Sequence, residues 1–133
     1  MRLAGRKVLV TGAAGFVGCR LVEKLCLEEG ADVHGLVRTW HKATWVSRTA
    51  ARLFGGDVSN AKAVSEAAEG CETIFHCASG GSDRASYFRT NVDGTANVMQ
   101  AAKETGARVV YVSSSAVHGP VLPKILRNDS PYV

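Results

Sequence analysis

The sequence has no long apolar run, no block of like charge, no internal repeat and no patterned cysteines, and each absence removes a class of protein. The apolar run after the basic N-terminus stops at Val10, before Thr11-Gly12. A secretory core needs a longer run and a membrane span about 20 residues, so neither is expected. Cys19, Cys26, Cys71 and Cys77 show no Cys-x-x-Cys spacing, and His76 beside Cys77 adds too few ligands for zinc. They read as small apolar residues kept as thiols in a reducing cytoplasm, with no metal site. The 16 Lys and Arg exceed the 12 Asp and Glu by four, but they are scattered and not interleaved with aromatics. Nucleic acid is therefore not an expected partner, whereas an anionic small ligand accounts for the excess. What remains is one ordinary domain over 1–133, with 46% apolar and 21% charged residues. That balance excludes a disordered tail, a collagen-like rod and a disulfide-stapled miniprotein.

Short β-branched runs alternate with helical stretches along the chain. Strands are expected over 7–11, 32–37, 52–55, 72–77 and 108–113. Helices are expected over 15–29, 57–70 and 82–105, with a short or irregular one over 39–50. In the first helix Gly18, Leu21, Val22 and Leu25 form the apolar stripe. Ser59 reads as the cap of the second, above a stripe of Ala61, Val64, Ala68 and Cys71. The third carries Val92, Thr95, Ala96, Met99 and Ala102 on one face and stops at Gly106. Residues 114–133 hold all three prolines and read as loop. Strands apolar on both faces and separated by helices imply parallel pairing with right-handed crossovers. The fold class is thus α/β, a doubly wound parallel sheet of order 3-2-1-4-5. Such a sheet binds ligands at the carboxyl ends of strands 1 and 4, where the winding reverses.

The strongest motif lies there. Thr11-Gly12-Ala13-Ala14-Gly15-Phe16-Val17-Gly18 sets three glycines between the first strand and its helix. Gly12 permits the tight turn, Gly15 lets the backbone approach a pyrophosphate, and Gly18 allows the helix to pack closely on the sheet. Backbone amides from Gly12 through Phe16 would cup the diphosphate at the positive end of the helix. No Gly-Lys-Ser/Thr follows, which excludes a mononucleotide P-loop. At the end of the second strand an NAD site usually offers an acid, but this chain reads Val37-Arg38, and Asp32 sits at the wrong end. Arg38, with help from His41 or Lys42, suits a 2′-phosphate, so NADP is expected over NAD. The alternative for Arg38 is a solvated loop cation.

With these residues in place, the chain resembles the extended short-chain dehydrogenase/reductase family, also called the NAD-dependent epimerase/dehydratase family, and matches its N-terminal, Rossmann-type portion. Asp57-Val58 looks like the pair that contacts adenine, or Asp57 is only a helix cap. His76-Cys77-Ala78-Ser79 resembles the segment lining the cofactor near the ribose and nicotinamide. His76 itself reads as a packed or backbone-bonded residue rather than a catalyst. Asn91-Val92-Asp93-Gly94-Thr95 is similar to the helix whose Asn helps order the active site, with polar surface as the alternative. The 112–119 stretch looks like the one carrying the catalytic Ser, a role that falls on Ser114 with Ser115 as fallback, or else is plain strand-end polarity. His118 stands where the family usually has Tyr and reads as a loop histidine.

The resemblance implies hydride transfer between NAD(P) and a secondary alcohol or ketone, on a nucleotide-sugar, steroid-like or similar substrate, with a slight lean to reductases. It also implies a homodimer in the full-length form. Yet no Tyr here has a Lys four residues later: Tyr87 is followed by Asn91, Tyr111 by Ser115, and Tyr132 only by Val133. The family's proton-transfer pair and substrate lobe are absent, so the chain reads as truncated before its catalytic helix. A non-catalytic NAD(P)-binding module or redox-sensing regulator is the competing expectation.

Overall fold

The computed structural model describes residues 3–119 and 127–132. Five strands form one parallel sheet: β1 (Lys7–Thr11), β2 (Asp32–Val37), β3 (Arg52–Gly55), β4 (Thr73–His76) and β5 (Arg108–Tyr111), in the order β3-β2-β1-β4-β5. β1 lies at the centre, with Val8 against both Val33 and Thr73, and Thr11 against both Leu36 and His76. The register therefore brings Thr11 and His76 side by side at the carboxyl edge.

Successive residues of a strand point to opposite faces, and both faces are covered here. Val8 and Val10 join Val22 and Leu25 of α1 (Phe16–Leu27), together with Val33, Val37, Ala43 and Val46. Leu9 joins Ile74, Val64, Ala67 and Ala68 of α2 (Ala61–Ala68), and Val98, Ala101 and Ala102 of α4 (Gly94–Thr105). Leu9, Leu36 and Ile74 are buried on that side, and each such side chain contributes about 1.5–3 kcal/mol by leaving water.

Several local expectations change. The helix read over 57–70 is shorter, and Asn60 rather than Ser59 caps it, accepting a hydrogen bond from Ala63 N–H at 3.2 Å. Ser59 instead donates to Asp57, and Ala61 is exposed. The 39–50 segment forms two 3-10 turns, Trp40–Lys42 and Val46–Arg48. The single helix read over 82–105 is broken into α3 (Arg84–Phe88), a π turn at Arg89–Asp93, and α4. That wider turn shifts the phase of α4: Val92 is 51% and Met99 46% exposed, while Gly94, Val98, Ala101 and Ala102 face the core. The loop reading of 114–133 gives way at Ser115–His118, a 3-10 turn, and its part at 120–126 and 133 lies outside the described residues. Among the described residues no helix is long and apolar enough to cross a membrane, and no group of His, Cys, Asp and Glu could hold a metal.

Candidate functional site

β1 ends in a turn that the glycines make possible. Gly12 has φ +68°, and a Cβ there would lie 2.8 Å from the backbone N and Cα of Ala78. No other residue type fits both conditions. A Cβ on Gly18 would lie 2.2 Å from Gly12 O. Gly18 thus packs on the turn itself and not chiefly on the sheet, which corrects the role expected for it.

The N-terminus of α1 differs from those of its neighbours. Asn60 caps α2 and Asp83 caps α3 with side-chain acceptors, but α1 begins at Gly15 with no side-chain cap and no acidic residue in its first turn. The amides of Phe16, Val17 and Gly18 have no acceptor among the described residues, the first bond being Cys19 N–H to Gly15 O at 2.9 Å. By contrast Ala13 N–H bonds Leu36 O and Gly15 N–H bonds Gly12 O. The open donors therefore extend to residues 17 and 18, beyond the 12–16 read from sequence, while the turn consumes the Ala13 and Gly15 amides within that range.

These donors face a cavity of about 370 Å³ at the carboxyl ends of β1, β2 and β4. Of the residues singled out from sequence, Gly12, Ala14, Gly15, Phe16, Val17, Gly18, Arg38, Asp57, Val58, Cys77, Ala78 and Ser79 line it. Thr11 and Asn91 do not. Thr11 is buried beneath the floor, where its Oγ1 meets His76 Nδ1 at 2.7 Å. Asn91 clamps a neighbouring loop, its Nδ2 donating to Gly80 O at 3.1 Å and Tyr87 O at 2.8 Å. Of the two helpers weighed for Arg38, Lys42 lines the cavity and His41 does not. Thr39, Gly56 and Thr90 also line it. Sequence reading missed these three, and only Gly56, next to Asp57, carried a usable signal.

Arg38 and Asp57 form an ion pair, Nη1 to Oδ2 at 3.6 Å, so Arg38 is not merely a solvated cation. Burial pushes the Asp57 carboxyl up, but the Ser59 amide and hydroxyl and the Arg38 guanidinium outweigh it and hold the group below its ordinary value. Asp57 does not cap α2; it closes the turn leading into it. Burial pushes the Cys77 thiol up, so it stays protonated.

Ser114 and Ser115 lie elsewhere, in a second hollow with Ser113, Val117, His118 and Tyr132 that shares no lining residue with the first. Ser114 Oγ accepts Ala116 N–H at 3.2 Å and starts the Ser115–His118 turn. His118 is engaged structurally, with Nδ1 2.9 Å from Pro131 O and its ring 5.1 Å from that of Tyr132.

Residues 8–132 match the NAD dependent epimerase/dehydratase family. The chain is 36% identical over 122 residues to the 3-beta-hydroxysteroid dehydrogenase of Mycolicibacterium neoaurum, covering 84% of this chain and 32% of that one. Among solved structures it resembles the Bordetella bronchiseptica enzyme WbmG in complex with NAD (TM-score 0.83, 26% identity, 99% of this chain and 45% of that one). It also resembles a short-chain dehydrogenase/reductase superfamily protein of Agrobacterium tumefaciens with bound NAD (TM-score 0.80, 31% identity, 96% and 39%). The chain spans between 13% and 38% of the length of such curated relatives.

Proposed function

The chain belongs to the NAD-dependent epimerase/dehydratase family, and from that premise we propose that its cavity binds a nicotinamide adenine dinucleotide, NADP in preference to NAD. The observation that carries this is the uncapped N-terminus of α1, with the amides of Phe16, Val17 and Gly18 open beside Arg38 and Lys42. The residues fit the cofactor. The three amides and the positive helix end suit a diphosphate, and Gly12 and Gly18 leave no room there for side chains. Arg38, with Lys42 on the same wall, suits a 2′-phosphate. The Asp57 carboxylate, kept ionised, accepts the exocyclic amine of adenine. Val58 flanks it, and Cys77, Ala78 and Ser79 form the wall toward the nicotinamide.

When bound, the nicotinamide supplies hydride exchange with the carbon of a secondary alcohol or ketone. Ser114, or Ser115 as fallback, orients the substrate oxygen. Accepting Ala116 N–H leaves the Ser114 hydroxyl proton available to donate. The substrate class is a nucleotide-sugar, steroid-like or similar molecule, and the hydroxysteroid dehydrogenase relative supports the lean to oxidoreduction over epimerisation. The full-length protein acts as a cytoplasmic homodimer. A second reading, dinucleotide binding without catalysis by these residues, is favoured by the lack of any Tyr-x-x-x-Lys among them.

Titration of the chain with NADP and NAD, followed by calorimetry and by the amide resonances of residues 12–18, tests the proposal. Both should bind, NADP on the order of tenfold more tightly, with Arg38→Ala erasing the difference. Unmoved resonances at saturating dinucleotide would overturn the site, and tighter NAD binding insensitive to Arg38→Ala would overturn the NADP assignment.

A further inference from the structure

Beneath the cavity, four hydrogen bonds run in series through two buried side chains, Thr11 and His76, and half-buried groups on either side of them. Thr95 Oγ1 lies 2.7 Å from Asn91 O. A carbonyl only accepts, so the Thr95 hydroxyl proton points there. His76 Nε2 lies 3.0 Å from the same Thr95 oxygen, whose proton is already committed, so Nε2 must carry a hydrogen and donate it. On the other side of the ring, His76 Nδ1 lies 2.7 Å from Thr11 Oγ1. A neutral imidazole has one N–H, already placed on Nε2, so Nδ1 accepts from the Thr11 hydroxyl. Thr11 Oγ1 in turn accepts Ala78 N–H at 3.3 Å. One direction satisfies every group: Ala78 N–H to Thr11, Thr11 to His76, His76 to Thr95, Thr95 to the Asn91 carbonyl.

The two ends of this series meet the same loop. Ala78, at one end, lines the cavity and abuts the Gly12 turn. Asn91, at the other, grips Gly80 twice, accepting its N–H at 3.3 Å and donating to its carbonyl at 3.1 Å. Asn91 sits in the π turn, one residue after Thr90, which also lines the cavity. Loop 78–81 is thus pinned at both ends, and His76 joins the pins. Thr11 is fully buried and His76 is 1% exposed, so no water competes for the bond between them. A broken link there would strand a buried polar group, which costs more than the bond itself contributes.

We propose that His76, in its Nε2–H tautomer, is a positioning residue that works through Thr11 and Thr95 to hold loop 78–81, whose Ala78 and Ser79 line the cavity, in its binding shape. This deepens the dinucleotide reading and rests on it. The imidazole touches neither diphosphate donors nor substrate-orienting serines; it sets where Ala78 and Ser79 stand. Burial favours the neutral ring the series needs. A second proton on Nδ1 would make the ring the donor to Thr11 Oγ1 and turn the Thr11 hydroxyl proton away, reversing that link of the series.

Nitrogen-detected NMR of the intact chain reads the tautomer directly, and Thr95→Val with Thr95→Ser tests its use. The expected results are an Nε2–H ring in the unsubstituted chain, and faster amide exchange at Ala78 and Gly80 in Thr95→Val. Dinucleotide affinity should fall on the order of tenfold in Thr95→Val, with Thr95→Ser restoring both readouts. A purely structural role would lower the melting temperature while leaving the affinity of the folded protein unchanged. An Nδ1–H ring, or equal affinity in Thr95→Val, overturns the proposal. If the unsubstituted chain binds neither dinucleotide, the cavity reading falls instead, and the tautomer with exchange at Ala78 and Gly80 decides whether the relay exists.

Discussion

Two regions at the carboxyl edge of the sheet carry the residues with chemical promise, and they are built differently. The Gly12–Gly18 turn is fixed from beneath: Gly12 backs onto Ala78, Gly18 onto Gly12, and Thr11 is tied to His76. The Ser113–Ser115 end of β5 is exposed, and Ser114 makes there the local bond from Ala116 N–H. Binding a diphosphate needs donors fixed before the ligand arrives, whereas orienting a substrate oxygen needs one hydroxyl at a reachable surface. The first region presents several backbone donors on one turn; the second presents a single exposed hydroxyl.

Substitutions can break that contrast. The largest effect is expected from Gly18→Ala, whose new methyl would press on Gly12 O; chemical unfolding should show a loss of about 2–3 kcal/mol or more. Gly15→Asp places a carboxylate over the amides of residues 16–18, as Asn60 and Asp83 place side-chain acceptors over their own helices. The chain should stay folded while dinucleotide affinity drops by more than about tenfold in calorimetry. Retained affinity would mean that α1 does not hold the diphosphate.

The pH dependence separates the regions more finely. Burial holds His76 below its ordinary 6.5, so its neutral ring contributes stability that is full above that value and is lost as pH falls through the folded pKa. Asp57 is held below 3.8, so its contribution is present above 3.8 and is lost only at lower pH. Melting temperatures followed downward from neutrality should fall in two stages, with His76→Gln removing the earlier one. The smallest effect belongs to Ser114→Ala: stability changes by roughly 0.5–1 kcal/mol through the lost cap, and dinucleotide affinity stays within about twofold. A tenfold loss there would join the two regions functionally.

The sheet order and the glycine turn were legible because both are local signals: β-branched runs between helices, and glycines where a strand meets a helix. Most of the cavity came with them, from Arg38 and Asp57 to Ala78. The face of α4 was not legible. Of its buried positions Gly94, Val98, Ala101 and Ala102 only Ala102 lay on the face read from sequence, because the π turn before them shifts the phase that Val92 and Met99 suggested. Thr11, His76 and Thr95 are separated by 65 and 19 residues, and no sequence period marks a bond that only strand register creates. The loss of the Ala13 and Gly15 amides to the turn was not legible, because the turn's own bonding cannot be read from residue names.

β1 is paired on both sides, as β2 and β4 are, so the segment from which the glycine turn hangs is clamped within the sheet. A ligand settling on that turn meets a scaffold whose freedom was surrendered during folding, and little further ordering opposes its capture.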